Sequence, residues 1–334
     1  MANLFTEVKI PKSQTVINYN SRLMFVGSCF ADNIGSTFSD NKFRCLINPL
    51  GTLYNPLSIK ILFDILTSDR IISEQDFFYY RNIYSSYLMH GDYSDADLNK
   101  AVSRANKSIE TAHNFIKTTD IVFITLGTAF VYYLNQNGMP VANCHKQPAN
   151  LFTRKLLTVN QSTEALLDIC NSIVKINSKI KIVLTVSPIR HIADGAIENS
   201  LSKSTLLLSV NNVVKLLNYV EYFPSYEIMI DELRDYRFYE SNLTHPSETA
   251  QEIIFDKITA TFCTSAVTDY IKKVSNFMKS IKHKLLSPDS AETKSFAENQ
   301  LNRAQQLEKE IEGLDLTNEK QYFNEIINRI KVTI

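Results

Sequence analysis

Leu23-Met24-Phe25-Val26-Gly27-Ser28-Cys29-Phe30-Ala31-Asp32-Asn33-Ile34 is the stretch that decides how the 334-residue chain is read. Four apolar residues without helical spacing form a run of the kind buried in a parallel sheet, and Gly27 breaks it. Ala31, Ile34 and Phe38 with their polar neighbours then predict a helix. A side chain at such a strand-to-helix turn stands at the carboxyl edge of the sheet, where open α/β folds bind their ligands. The turn presents Ser28 and Cys29. A thiol at a helix N-terminus gains thiolate character from the helix dipole, whereas a serine there needs a strong base, so Cys29 is the preferred nucleophile. Lone cysteines usually just pack; the position directly after Gly-Ser sets this one apart.

Outward from this turn, the same pattern recurs. Asp120-Ile121-Val122-Phe123-Ile124-Thr125-Leu126-Gly127-Thr128 reads as a buried strand ending in a second turn, at the same edge if the strands are parallel. Ile180 to Pro188 reads as a third strand, followed by a polar loop with Arg190, His191 and Asp194, and Val220 to Ile230 as a fourth. Residues 43–47 predict a short strand, and helices are predicted near 96–117, 162–177 and 201–217. Pro56 opens another helix after the loop Asn48-Pro49-Leu50-Gly51-Thr52-Leu53-Tyr54-Asn55, whose Asn and Gly residues are turn formers and candidate site groups. Val131 to Val141 reads as a hairpin about Asn137-Gly138, with Asn143-Cys144-His145-Lys146 behind it. Glu7 to Ile17 is an irregular or β segment, and the tyrosine-rich stretch 75–93 suits half-buried surface or sugar stacking.

Toward the end of the α/β pattern, Pro246 is placed to start a helix with His245 held just ahead of it. From about Thr264 the chain becomes charged and amphipathic, with three helical segments split near Ser287-Pro288-Asp289 and at Gly313 to Thr317. The division expected is a catalytic domain over 1–263 and a helical extension over 264–334 that could dimerise or cap the site.

Composition narrows the function classes. Thirty-five basic residues balance thirty-five acidic ones, which disfavours nucleic acid as a partner. No run of about 18 apolar residues and no signal-peptide pattern occur, so neither a membrane role nor export is expected, and a cytoplasmic location follows. The five cysteines, Cys29, Cys45, Cys144, Cys170 and Cys263, are unsuited to a disulfide framework or zinc cluster. His90, His145 and His191 have no helical spacing between them, so no metal is expected.

A nucleophile early in the chain and a histidine late in it, each at a sheet edge, form the arrangement of a Cys-His acyl-transfer site. Asn242, three residues before His245, is the expected imidazole orienter. His145 with Lys146, and His191 with Arg190, follow predicted strands and are candidate substrate or phosphate contacts, as is Asn143.

At these residues the chain resembles the GSCFA family, whose name is spelled by Gly27-Ser28-Cys29-Phe30-Ala31. The likeness continues through the blocks 48–56, 124–128, 143–146, 185–191, 231–239 and 245–247. That family is similar to the SGNH or GDSL hydrolases and to PC-esterases. The resemblance implies a flavodoxin-like three-layer α/β/α sandwich with a parallel sheet, acting on acyl esters, often of carbohydrate. It places Cys29 at the third position of the Gly-Asp-Ser block and sets Asn242-x-x-His245 against Asp-x-x-His. It also implies oxyanion donors from a Gly and an Asn block, matched by Gly51 and by Gly127-Thr128, so that the backbone N–H groups of Cys29 and Gly51, with Thr128 or a nearby Asn such as Asn48 or Asn55, are the expected donors, and Ser28 lies beside them. The function expected is O-acyl transfer or ester hydrolysis on a carbohydrate or other small acyl-ester substrate. No cofactor is required, and acetyl-CoA is an admissible acyl donor. The Asp-to-Asn change at 242 supports the alternative of a catalytically weakened binding or scaffold protein.

Overall fold

In chain order, the run that opens the sequence is strand β1 (Arg22–Gly27), and Cys29 begins helix α1 (Cys29–Asp40). Then follow β2 (Arg44–Ile47), α2 (Pro56–Leu66), β3 (Phe78–Tyr80), β4 (Ile83–Ser85), α3 (Leu98–Ile116) and β5 (Ile121–Leu126). Next come β6 (Phe130–Leu134), β7 (Pro140–Val141), β8 (Phe152–Leu156), α4 (Val159–Ile176), β9 (Lys181–Val186), α5 (Ala196–Leu216) and β10 (Val220–Phe223). The chain closes with the short α6 (Ser225–Glu227), α7 (Glu248–Phe262), α8 (Ser265–Ile281), α9 (Ala291–Glu310) and α10 (Thr317–Thr333). This computed structural model describes residues 6–68, 70–281 and 290–333.

Five strands form the central sheet in the order β10-β9-β5-β1-β2, with β1–β5, β5–β9 and β9–β10 parallel. Ranked along the chain this is 2-1-3-4-5, the flavodoxin-like order expected from the sequence. Residues 23–26 and 121–126 are buried throughout, because helices cover both faces of a parallel sheet. Alternate residues Met24, Val26, Val122, Ile124, Ile182 and Leu184 join the core formed with α2, α3, α4 and α5. Phe25 points the other way, against α1, where Gly35 leaves room for it and for Ile47. The helices start where their caps dictate. Asn55 accepts the Ser58 N–H ahead of Pro56 in α2, and Thr158 and Gln161 form a capping box at α4.

Between β5 and α4 the chain builds a separate antiparallel sheet, β7-β6-β8, with the expected hairpin turning at Gly138 (φ +72°). The sequence reading missed β8, whose Arg and Lys dilute the apolar signal, and the β3–β4 hairpin in the tyrosine-rich stretch. It also made the fourth strand too long. β10 stops at Phe223 because Pro224 cannot extend the ladder, and Tyr226 to Ile230 is helical, with Tyr226, Ile228 and Met229 turned into the core. Glu7 to Ile17 forms no strand; Ile17 makes one isolated bridge, to Cys263.

The chain divides into two compact units. The first comprises Met1–Pro11, Arg22–Gly35 and Cys45–Asp256, and holds the sheet. The second comprises Lys12–Ser21, Ser36–Arg44 and Lys257–Ile334. Within it Phe277 meets Phe323 edge-on, Lys42 pairs with Glu319, and Tyr19 stacks on Phe43. α9 and α10 are separated at Gly313 to Thr317 as expected; the break at Ser287-Pro288-Asp289 lies outside the described residues.

The turn after β1 is the tightest point of the sheet. Gly27 has φ +135°, and a Cβ there would lie 2.1 Å from the Thr125 carbonyl oxygen. Its N–H donates to Asn48 Oδ1 (2.8 Å), and Ser28 N–H donates to Thr125 O (3.0 Å). Gly27→Ala is therefore expected to destabilise the protein by roughly 3 kcal/mol in denaturant unfolding. A variant as stable as the parent would contradict this account of the turn.

Candidate active site

Parallel strands bring the turns after β1, β5 and β9 to one edge. There they line a cleft of about 610 Å³ with Cys29, Thr128, Ile189, Arg190 and His191. β6 and β8 supply Phe130, Tyr132, Phe152 and Arg154 as an aromatic wall, and the loop before α7 supplies His245. Cys29 Sγ stands 4.0 Å from His245 Nε2. Ser28, its neighbour, is sealed beneath the turn with a buried hydroxyl that has no partner among the described residues, and does not line the cleft.

The loop around His245 assigns the imidazole its tautomer. Asn242 Oδ1 accepts the backbone N–H groups of Thr244 (2.9 Å) and His245 (3.0 Å) and the Thr244 hydroxyl (2.9 Å). Thr244 Oγ1 lies 3.1 Å from His245 Nδ1. Because the hydroxyl proton is already given to Asn242, Oγ1 accepts from Nδ1–H, and in the neutral form of the ring Nε2 then carries the lone pair, facing the sulfur. The expectation that Asn242 itself orients the ring is thus corrected: its oxygen is occupied by the turn, and Thr244 stands between.

Cys29 is not the pre-formed thiolate that its helix position predicts. Burial, and then the nearby Asp32 carboxylate, push its proton affinity up, outweighing the first amides of α1 and the charge of Lys203. Burial drives Cys45, Cys170 and Cys263 to about 12 and Cys144 to about 11. A thiol held this way needs a base to ionise it, and Nε2 is in place.

The other expected residues divide. Asn55 lines the cleft; its Oδ1 caps α2, and its NH₂ has no partner among the described residues. His191 also lines the cleft, with Nε2 buried and without a hydrogen-bond partner among the described residues, and burial followed by the Lys203 charge lowers its pKa to about 4, so the ring is neutral. Thr128 and Asn143 line it as well. Gly51 does not: its N–H closes a turn on Asn48 O, and its α-carbon is packed on His90. Gly127 N–H and Thr128 N–H both donate to Tyr54 O, so neither is a free oxyanion donor; Gly127 instead makes space for that carbonyl. Asn48 braces the turn, donating to Asp32 Oδ1 at 2.7 Å. His145 bonds the Ser86 carbonyl (2.7 Å), and neither it nor the exposed Lys146 lines the cleft.

The chain belongs to the GSCFA family. That family matches residues 22–258, and the C-terminal domain of GSCFA domain proteins matches 274–329. No curated protein matches. Among solved structures, this GSCFA protein is similar to an acetyl xylan esterase (Est2A) from the rumen bacterium Butyrivibrio proteoclasticus, at 13% identity and a TM-score of 0.40. The similarity covers 74% of this chain and 64% of that one, so the chain spans less than two thirds of that protein's length. No helix among the described residues is long and apolar enough to cross a membrane.

The sequence reading overlooked Lys203. It is fully buried on α5 and donates to Gly127 O (2.7 Å) and Ser187 O (2.8 Å), tying together the ends of β5 and β9. Its signal was a lysine within the otherwise uncharged buried stripe Asn199, Ser202, Lys203, Leu206, Val210, Val213.

The electrostatics of the thiol are open to direct test. Alkylation of Cys29 by iodoacetamide should rise with pH through a midpoint above that of a free cysteine, since the raised proton affinity delays ionisation. Asp32→Asn keeps the Asn48 hydrogen bond, removes the repelling charge and should lower that midpoint. Peptide mapping of the label gives both values, and a parent midpoint below the free-thiol range would refute this description.

Proposed function

We propose that this GSCFA protein performs acyl-ester chemistry through Cys29 and His245, as an O-acyltransferase or esterase acting on a carbohydrate or related hydroxyl compound. The observation that carries the reading is the 4.0 Å approach of Sγ to the lone-pair face of Nε2, inside a cleft large enough for a substrate. Thiol and imidazole in this relation form the nucleophile–base pair of covalent acyl transfer.

In this reaction His245 Nε2 takes the Cys29 proton as Sγ attacks the acyl carbonyl. The developing oxyanion is received by the Cys29 backbone N–H and the free amide of Asn55. Collapse breaks the bond to the leaving oxygen, or to sulfur when the donor is acetyl-CoA, and the imidazolium returns its proton to that atom. An incoming hydroxyl then gives its proton to His245 while its oxygen attacks the thioester carbonyl; the C–S bond breaks, and the imidazolium returns that proton to Sγ, restoring the thiol. Water as that hydroxyl gives hydrolysis, and a sugar gives transfer. Thr244 holds the Nδ1–H tautomer, and a neutral relay suits a thiol, which needs less help than a serine.

Hydrolysis of p-nitrophenyl acetate tests the assignment. Cys29→Ala should abolish enzymatic turnover, and His245→Ala should lower kcat by about 10²-fold or more. Thr244→Val should lower kcat about tenfold with KM little changed, as loss of ring orientation acts on the chemical step. Full activity in Cys29→Ala would remove the mechanism.

A further inference from the structure

A second cavity, of about 490 Å³, opens beside the cleft, and Arg190 lines both. The second cavity is walled by Ile192, Met229, Tyr236, Tyr239 and Leu243, with Tyr236, Leu243 and Ile192 more than half exposed. Three arginines line the two cavities. Arg154 pairs with Asp194 at 2.6 Å and Arg234 with Asp231 at 3.2 Å. Arg190 is half-buried, and its guanidinium makes no hydrogen bond or ion pair among the described residues. Its backbone N–H reaches Thr244 O (3.4 Å), which ties it to the loop that carries His245.

A half-buried guanidinium without a carboxylate is electrostatically incomplete, and its planar fork matches a carboxylate or phosphate. The nearest buried cation adds to the imbalance. Lys203 donates to two carbonyl groups and lies over the Tyr226 ring, with no carboxylate partner among the described residues, and after burial the Arg190 charge is what most lowers its proton affinity. Asp194 and Asp235, the carboxylates lining the two cavities, are committed to Arg154 and to Arg237. The exposed tyrosine rings nearby offer flat apolar faces on which a sugar ring can stack.

We infer that Arg190 binds an oxyanion, carboxylate or phosphate, on a carbohydrate substrate whose ester lies at Cys29 and whose charged end reaches toward the second cavity. The carbohydrate portion of this inference rests on the acyl-ester reading; the anion site does not. Arg190 is then a specificity-determining residue, and it discriminates charged from neutral esters of the same sugar.

Calorimetric titration of the Cys29→Ala protein separates the two claims, because it needs no turnover. The probes are methyl galacturonate, glucose 6-phosphate, coenzyme A and the neutral methyl galactoside. At least one anionic probe should bind about tenfold or more tightly than methyl galactoside, a preference lost with Arg190→Met and partly restored with Arg190→Lys. Tightest binding of galacturonate or sugar phosphate places the anion on the acceptor, whereas tightest binding of coenzyme A moves it to an acyl donor and overturns the carbohydrate assignment. Equal binding of charged and neutral probes, binding of none, or an anion preference that survives Arg190→Met overturns the site itself. Arg190-dependent anion binding by a protein that turns over no ester would leave this site standing and remove the acyl-ester reading.

Discussion

A sulfur and an imidazole 216 residues apart in sequence meet at 4.0 Å, and that meeting depends on how closely β1 and β5 approach. The approach is possible only because residue 27 has no side chain to collide with the Thr125 carbonyl. Asn48 then locks the turn from behind, with one end of its amide on Gly27 N–H and the other on Asp32. Everything at the edge is referenced to this point: the start of α1, the thiol at its first position, and the loops after β5 and β9 that close around it.

The site balances opposed influences on one proton. Burial and Asp32 hold it on sulfur, while the first amides of α1 and the Lys203 ammonium favour its release. The resting state that results on sulfur is a thiol rather than a thiolate. Such a state costs little desolvation in a half-buried cleft. The same economy explains the Thr244–Asn242 relay. A carboxylate next to the ring would add a second negative charge to a neighbourhood already holding Asp32, whereas hydroxyl and amide fix the ring without charge.

Much of this was legible in the sequence because it is local. The strands at 22–27, 121–126 and 181–186 are apolar runs that only a doubly covered sheet can bury, while the flavodoxin-like arrangement was implied by the family resemblance. Cys29 and His245 were readable as a turn residue and a residue ahead of a helix-starting proline. What escaped was decided by tertiary contact. Gly51 looked like a donor, yet its N–H is consumed by the turn back to Asn48 O. Asn242 has the right spacing for the ring, but the intervening chain turns through Leu243 at φ +58° and aims the amide at backbone instead. Lys203 reads as a surface lysine until α5 is laid on the sheet, and Tyr226 to Ile230 reads as a strand until Pro224 ends the ladder.

In the proposed reaction the sulfur of Cys29 carries the acyl group. Acid-quenching the protein within its first turnover on an isotopically labelled acetyl ester, then mapping peptides by mass spectrometry, asks that question directly. A labelled thioester on the Cys29 peptide, released by hydroxylamine and absent in His245→Ala, is the result predicted. Steady ester turnover with label on another residue, or on none under conditions where the acyl-enzyme must accumulate, would contradict it.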